Sequence, residues 1–157
     1  MKPTVYIETS VINYLTGLPA RDVVVAGRQA LTIEWWGTCR QRFDVFVSAL
    51  VVTEAEDGDP MAAQRRLGAI EDVPALDVSD EAKALARQMV TGGPIPKEYP
   101  EDALHIAVCA LNGMDYLVTW NCTHLANATI RRQVERFLEK AGFVCPVICT
   151  PEELMEG

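Results

Sequence analysis

Short apolar runs alternate along the chain with longer stretches whose apolar residues recur at helical spacing. Residues 4–7, Thr-Val-Tyr-Ile, are β-branched or aromatic and predict a short buried strand. Thr9 or Ser10 can then cap a helix running to Thr16, because a hydroxyl satisfies a free backbone N–H; Gly17 and Pro19 end it. A long helix is expected over residues 22–40. Its Val23, Val24, Val25, Ala30, Leu31, Ile33, Trp35 and Trp36 occupy more than one face. Such a helix is either central to the core or carries a self-association surface, where Trp is enriched. Residues 43–47 predict a second strand, and helices follow over 50–57 and 60–71, separated by Gly58 and Pro60. A third strand is expected at 75–78, then a helix capped by Ser79 or Asp80 and reaching Val90. The segment 91–100 holds two glycines and three prolines and reads as a loop. Pro100 opens a helix to residue 112 that Gly113 terminates. A fourth strand at 116–119, a helix at 128–141, a strand at 146–149 and a helical turn opened by Pro151 complete the chain.

Strands that alternate with helices predict an α/β domain, here one domain over residues 1–157, with a mostly parallel sheet covered on both faces. Ligands of such sheets bind beyond the carboxyl ends of the strands, so residues just after strands carry the functional interest. At 49% hydrophobic and 23% charged residues, the composition is that of a soluble globular protein that needs no disulfide or structural metal to fold. No apolar run reaches membrane-spanning length, and residues 1–10 lack the pattern of a signal peptide, so a cytoplasmic protein is expected. The five cysteines are odd in number and irregularly spaced, which excludes a disulfide framework. A formal net charge of −8 argues against a broad basic face for nucleic acid, but not against reaching phosphate through a bound cation.

Four residues stand out by position. Glu8 directly follows the first strand, Glu54 lies on the helix after the second, Asp102 begins the helix before the fourth, and Asn121 follows the fourth. Carboxylates gathered at such an edge suit hard divalent ions, with Glu8, Glu54 and Asp102 as the ligands. Each residue also has a plainer explanation. Asp102 sits where acids favour the helix dipole, Glu54 belongs to a charged helix face, and Asn121 suits a turn. Glu8 is harder to explain away, since Glu is a poor cap and a carboxylate beside an apolar strand needs a partner.

The surrounding residues resemble the motifs of the PIN-domain family, which includes the VapC-type toxins. Tyr6-Ile7-Glu8-Thr9-Ser10-Val11-Ile12 is similar to the family's opening strand and acid. Ser48-Ala49-Leu50-Val51-Val52-Thr53-Glu54 is similar to its second acidic segment. Glu101-Asp102-Ala103-Leu104-His105-Ile106-Ala107 and Tyr116-Leu117-Val118-Thr119-Trp120-Asn121 resemble the third and fourth, and residues 147–154 the C-terminal strand and turn. The resemblance spans residues 4–154. It implies a three-layer α/β/α sandwich, Mg²⁺ or Mn²⁺, hydrolysis of RNA, frequent homodimers and, for toxin members, an antitoxin partner. Two departures matter: Glu8 stands where the family usually has Asp, and Asn121 also replaces an Asp. The longer Glu8 side chain shifts its carboxylate by about one C–C bond, and an amide oxygen at Asn121 adds no charge. Weaker binding of a second metal is the expected result, with Asn121 orienting a water or a ligand.

Other residues have two readings each. Thr9, Ser10 and Thr119 can hold the ligands or serve caps and turns. His105 and Cys109 share a helix face and are expected to be core residues rather than a zinc pair. Lys97, His124 and Arg131 are candidate substrate contacts, although Arg131, Arg132 and Arg136 read more simply as a solvated helix face. The leading function is a metal-dependent endoribonuclease of a toxin–antitoxin pair. A PIN-like module that binds RNA or protein without cutting, and a small-molecule phosphohydrolase, are the alternatives. No Gly-x-Gly-x-x-Gly follows the first strand and no Gly-Lys-Ser/Thr occurs, which excludes dinucleotide and P-loop sites.

Overall fold

The computed structural model describes residues 1–156. Five short strands form one parallel sheet in the order β3-β2-β1-β4-β5. They are β1 (Thr4–Ile7), β2 (Asp44–Ser48), β3 (Ala75–Leu76), β4 (Tyr116–Val118) and β5 (Val147–Cys149). The helices are α1 (Thr9–Thr16), α2 (Val23–Arg42), α3 (Ala49–Ala55), α4 (Pro60–Ile70), α5 (Asp80–Thr91), α6 (Pro100–Leu111) and α7 (Ala128–Ala141), and a 3₁₀ turn spans Glu152–Leu154. The architecture is the expected three-layer α/β/α sandwich. The sheet is wholly parallel.

β1 lies at the centre because it is the most apolar strand: Val5, Tyr6 and Ile7 have no exposed surface. It pairs with β2 from Thr4↔Asp44 to Tyr6↔Phe46 and with β4 from Val5↔Tyr116 to Ile7↔Val118. From β1 the chain builds outward through β2 and β3, then crosses to the other side for β4 and β5. That reversal makes a crevice at the carboxyl ends of β1 and β4, where α/β sheets hold ligands.

The long helix α2 packs one face against the sheet. Trp35 goes into the core, with its ring centroid 6.3 Å from that of Phe43, while Trp36 is half-buried under the Arg40 guanidinium. The helix therefore has a central packing face, and the large apolar residues it leaves exposed are Val23, Val24 and Ile33. Ser79, rather than Asp80, caps α5 by accepting from the Ala82 N–H. Gly113, just beyond α6, has a φ of 63°, a backbone state that Gly adopts without the Cβ penalty other residues meet.

Candidate active site

The backbone at the crevice is fixed by the strands themselves. The Glu8 N–H donates to the Val118 carbonyl at 3.0 Å, and the Thr119 N–H to the Cys149 carbonyl at 2.9 Å. Glu8 then ends β1 and serves as the N-cap of α1, its carboxylate accepting from the Ser10 N–H. This corrects the expected cap at Thr9 or Ser10: both are in the first helical turn, and their hydroxyls face carboxylates instead. The Ser10 and Thr119 hydroxyls each donate to Glu8 Oε1 at 2.5 Å. Such charge-assisted bonds are the strong kind, and they hold a carboxylate that is only 7% exposed. Thr119 also accepts the Asn121 N–H, and Ser10 accepts the Trp120 N–H, so the turn after β4 is tied to the same acid.

Glu54 is brought in by α3. Its Oε1 accepts from the Thr9 hydroxyl at 2.5 Å and lies 2.8 Å from His105 Nε2. The other ring nitrogen of His105 is 2.6 Å from the Tyr6 hydroxyl, which lies 2.7 Å from Ser48 Oγ. Ser48 in turn caps α3 through the Val51 N–H. A buried polar relay thus runs from the α3 cap through β1 and α6 to Glu54. Burial opposes ionisation of Glu54, but the hydrogen bond and charge of His105 and the Thr9 hydroxyl outweigh it, so its carboxyl sits below its usual range. Burial likewise disfavours a charged His105, yet Glu54, Glu8 and Asp102 hold its ring above the usual histidine value. Burial pushes the Tyr6 hydroxyl well above its usual range, so it stays protonated.

Asp102 lies in the first turn of α6. Asn121 Nδ2 approaches its two oxygens at 3.3 and 3.4 Å, and His124 Nδ1 lies 3.5 Å from Oδ2. The Asn121 side-chain oxygen accepts the His124 N–H, so this amide bridges the β4 turn and Asp102. Tyr99 stacks on His124, with ring centroids 3.9 Å apart. Burial, then the negative charge of Glu8, raises the Asp102 carboxyl to about 6.

Glu8, Glu54 and His105 each offer an atom within 4.8 Å of the others, and Asp102 adds its charge beside them. Among the described residues, no Lys or Arg makes an ion pair with any of the three acids. Several carboxylates with hydroxyl and histidine neighbours, and no Lys or Arg paired with them, could hold a divalent cation.

Neither a protein-family model nor a curated protein sequence matches the chain. Among solved structures it is similar to VapC20 of Mycobacterium tuberculosis, a sarcin–ricin-loop-cleaving toxin. The TM-score is 0.57 and the identity 19%, over 90% of this chain and 97% of that one. It is also similar to VapBC2 of Rickettsia felis, bound to a DNA fragment from their promoter, with TM-score 0.51 and 12% identity over 94% of this chain and 98% of that one. The fold is a VapC-like PIN fold.

Of the residues picked from sequence, Glu8 and Glu54 come within 4.8 Å of each other, with Thr9, Ser10 and Thr119 bonded to their carboxylates, while Asp102 lies outside that set and is held by Asn121 and His124. Lys97 is exposed in the loop before α6. Arg131 points elsewhere, donating to the Ile148 carbonyl and to Glu153. Arg132 and Arg136 are exposed on α7. His105 is the residue sequence reasoning missed, having been assigned to plain core packing. Its signal was its spacing from Asp102: residues three apart share a helix face. Cys109 takes no part in the cluster; it is fully buried, and all five cysteines are free.

Proposed function

We propose that the chain is a metal-dependent endoribonuclease, the toxin of a type II toxin–antitoxin pair, working in the cytoplasm. The observation that carries this is the set of carboxylates, none of them paired with a Lys or Arg, at the carboxyl ends of β1, β2 and β4. Glu8, Glu54 and Asp102 would hold Mg²⁺ or Mn²⁺, which would activate water and neutralise the scissile phosphate. Thr119 and Ser10 fix the Glu8 carboxylate, and Thr9 and His105 fix Glu54. Asn121 orients Asp102 by donation from its amide. RNA as substrate is supported by the neighbouring toxin's activity, and an antitoxin partner by the VapBC2 assembly. The exposed neighbours Val23 and Val24 at the start of α2 are the apolar surface that favours a homodimer in this reading. No helix of the described residues is long and apolar enough to cross a membrane.

The second reading is a PIN-like module that binds RNA or protein with weak or no cleavage. Its support is specific: the Asn121 oxygen already accepts the His124 N–H and carries no formal charge, so the fourth position is a weaker ligand than a carboxylate. Purified protein incubated with a mixed RNA pool and Mn²⁺ or Mg²⁺ separates the two. Cleavage abolished by EDTA and by Asp102→Ala is the expected result. Intact RNA across metals favours the binding module, and cleavage that survives Asp102→Ala means a contaminant or a different site.

A further inference from the structure

Arg28 of α2 lies beside the site on a built platform and lacks an anionic partner. Its guanidinium carbon is 5.2 Å from the centroid of the Trp120 ring and 5.9 Å from that of Tyr14, two rings that pack at 5.8 Å. One terminal nitrogen donates to the Tyr14 hydroxyl at 3.3 Å, the other to Cys122 Sγ at 3.7 Å. Trp120 Nε1 donates to the buried Thr32 hydroxyl at 2.7 Å, so the platform is anchored. Trp120 and Cys122 flank Asn121 in sequence, and the Trp120 N–H is joined to Glu8 through Ser10 Oγ.

Three other arginines are engaged by carboxylates. Arg40 pairs with Asp72, Arg42 with Glu156 and Arg131 with Glu153, whereas among the described residues no carboxylate lies at ion-pair distance from Arg28. Only two of its five N–H donors are engaged, both with weak uncharged acceptors. In a chain of net charge −8, a polyanion approaching an acid-lined crevice is repelled unless a fixed cation stands at the rim. A planar guanidinium stacked on an indole is restricted in orientation, and its fork matches two phosphate oxygens.

We propose, on the ribonuclease reading above, that Arg28 is a substrate-anchoring residue, gripping a backbone phosphate of single-stranded RNA next to the one that is cut. It binds the substrate and takes no part in the chemical step.

The test is steady-state cleavage of a labelled single-stranded RNA with Mn²⁺, at several salt concentrations, for wild type, Arg28→Met and Arg28→Lys. Mn²⁺ affinity and Tm are measured for each. Arg28→Met is expected to raise KM about tenfold with kcat within about twofold. The slope of log(kcat/KM) against log salt should become shallower by about 0.7, the release expected for one phosphate of a single strand. Arg28→Lys keeps the charge and should restore most of that slope, and Mn²⁺ affinity should not change. Unchanged KM and salt slope in Arg28→Met, with only a lower Tm, would overturn the proposal while leaving the ribonuclease reading intact. A wild-type chain that neither binds nor cuts RNA would overturn that reading and this proposal together.

Discussion

Removing one hydroxyl, by Tyr6→Phe, tests the buried relay behind Glu54. The Tyr6 hydroxyl bridges His105 Nδ1 at 2.6 Å and Ser48 Oγ at 2.7 Å, and all three residues are buried. With a neutral ring, Tyr6 donates to Nδ1 and accepts from Ser48; with a charged ring, the direction reverses. In either state the substitution leaves His105 Nδ1 without a partner and Ser48 Oγ with only the Val51 N–H. The orphaned ring nitrogen costs about 1–3 kcal/mol and the bond lost at Ser48 adds about 1 kcal/mol, so a loss of about 2–4 kcal/mol is expected. Ser48→Ala removes the α3 cap but leaves the Tyr6–His105 bond, so about 1 kcal/mol should be lost. Urea unfolding of the metal-free proteins measures both. A Tyr6→Phe loss below about 0.5 kcal/mol, or one no larger than that of Ser48→Ala, would refute the relay as a set of mutually dependent bonds.

Three further outcomes follow from the site. Asp102 is raised from 3.8 to about 6 in the folded chain, so its protonated form favours folding, and that contribution is lost as pH rises through about 6. Metal-free Asp102→Asn should therefore be more stable than wild type by about 1–3 kcal/mol at pH 8, with the gap closing by pH 4; thermal unfolding across pH checks it. Thr119→Val removes a hydroxyl that fixes Glu8 and should weaken Mn²⁺ binding about 10–100-fold in calorimetry, with little change expected if the hydroxyl serves only the turn. Because Asn121 supplies no charge, Mn²⁺ titration should show one tight site, and two equal tight sites would contradict the role given to this amide.

The order of strands and helices was legible because caps and breakers punctuate the chain: Gly58 and Pro60 between α3 and α4, Ser79 before α5, Pro100 and Gly113 around α6. Helix ends moved by one or two residues, as α2 shows by running on to Arg42. Residue pairing across the sheet was not legible. Glu8 was an improbable cap by propensity, and it serves as one because Thr119, 111 residues away, shares its carboxylate. His105 sits among Ala103, Ile106 and Ala107, so local pattern assigned it to the core; only the tertiary approach of Tyr6 and Glu54 makes it polar machinery. Arg131 shared helical spacing with exposed neighbours, but the return of β5 brings Ile148 and Glu153 to it. Trp35 and Trp36 are adjacent, and which one enters the core depends on how α2 rotates against Phe43.

The most direct test of the central claim is anomalous diffraction from crystals grown with Mn²⁺. A manganese peak in contact with carboxylate oxygens of Glu8, Glu54 and Asp102, absent in Asp102→Ala crystals, is the predicted result. Manganese only elsewhere on the surface, or none at all at millimolar Mn²⁺, would contradict it.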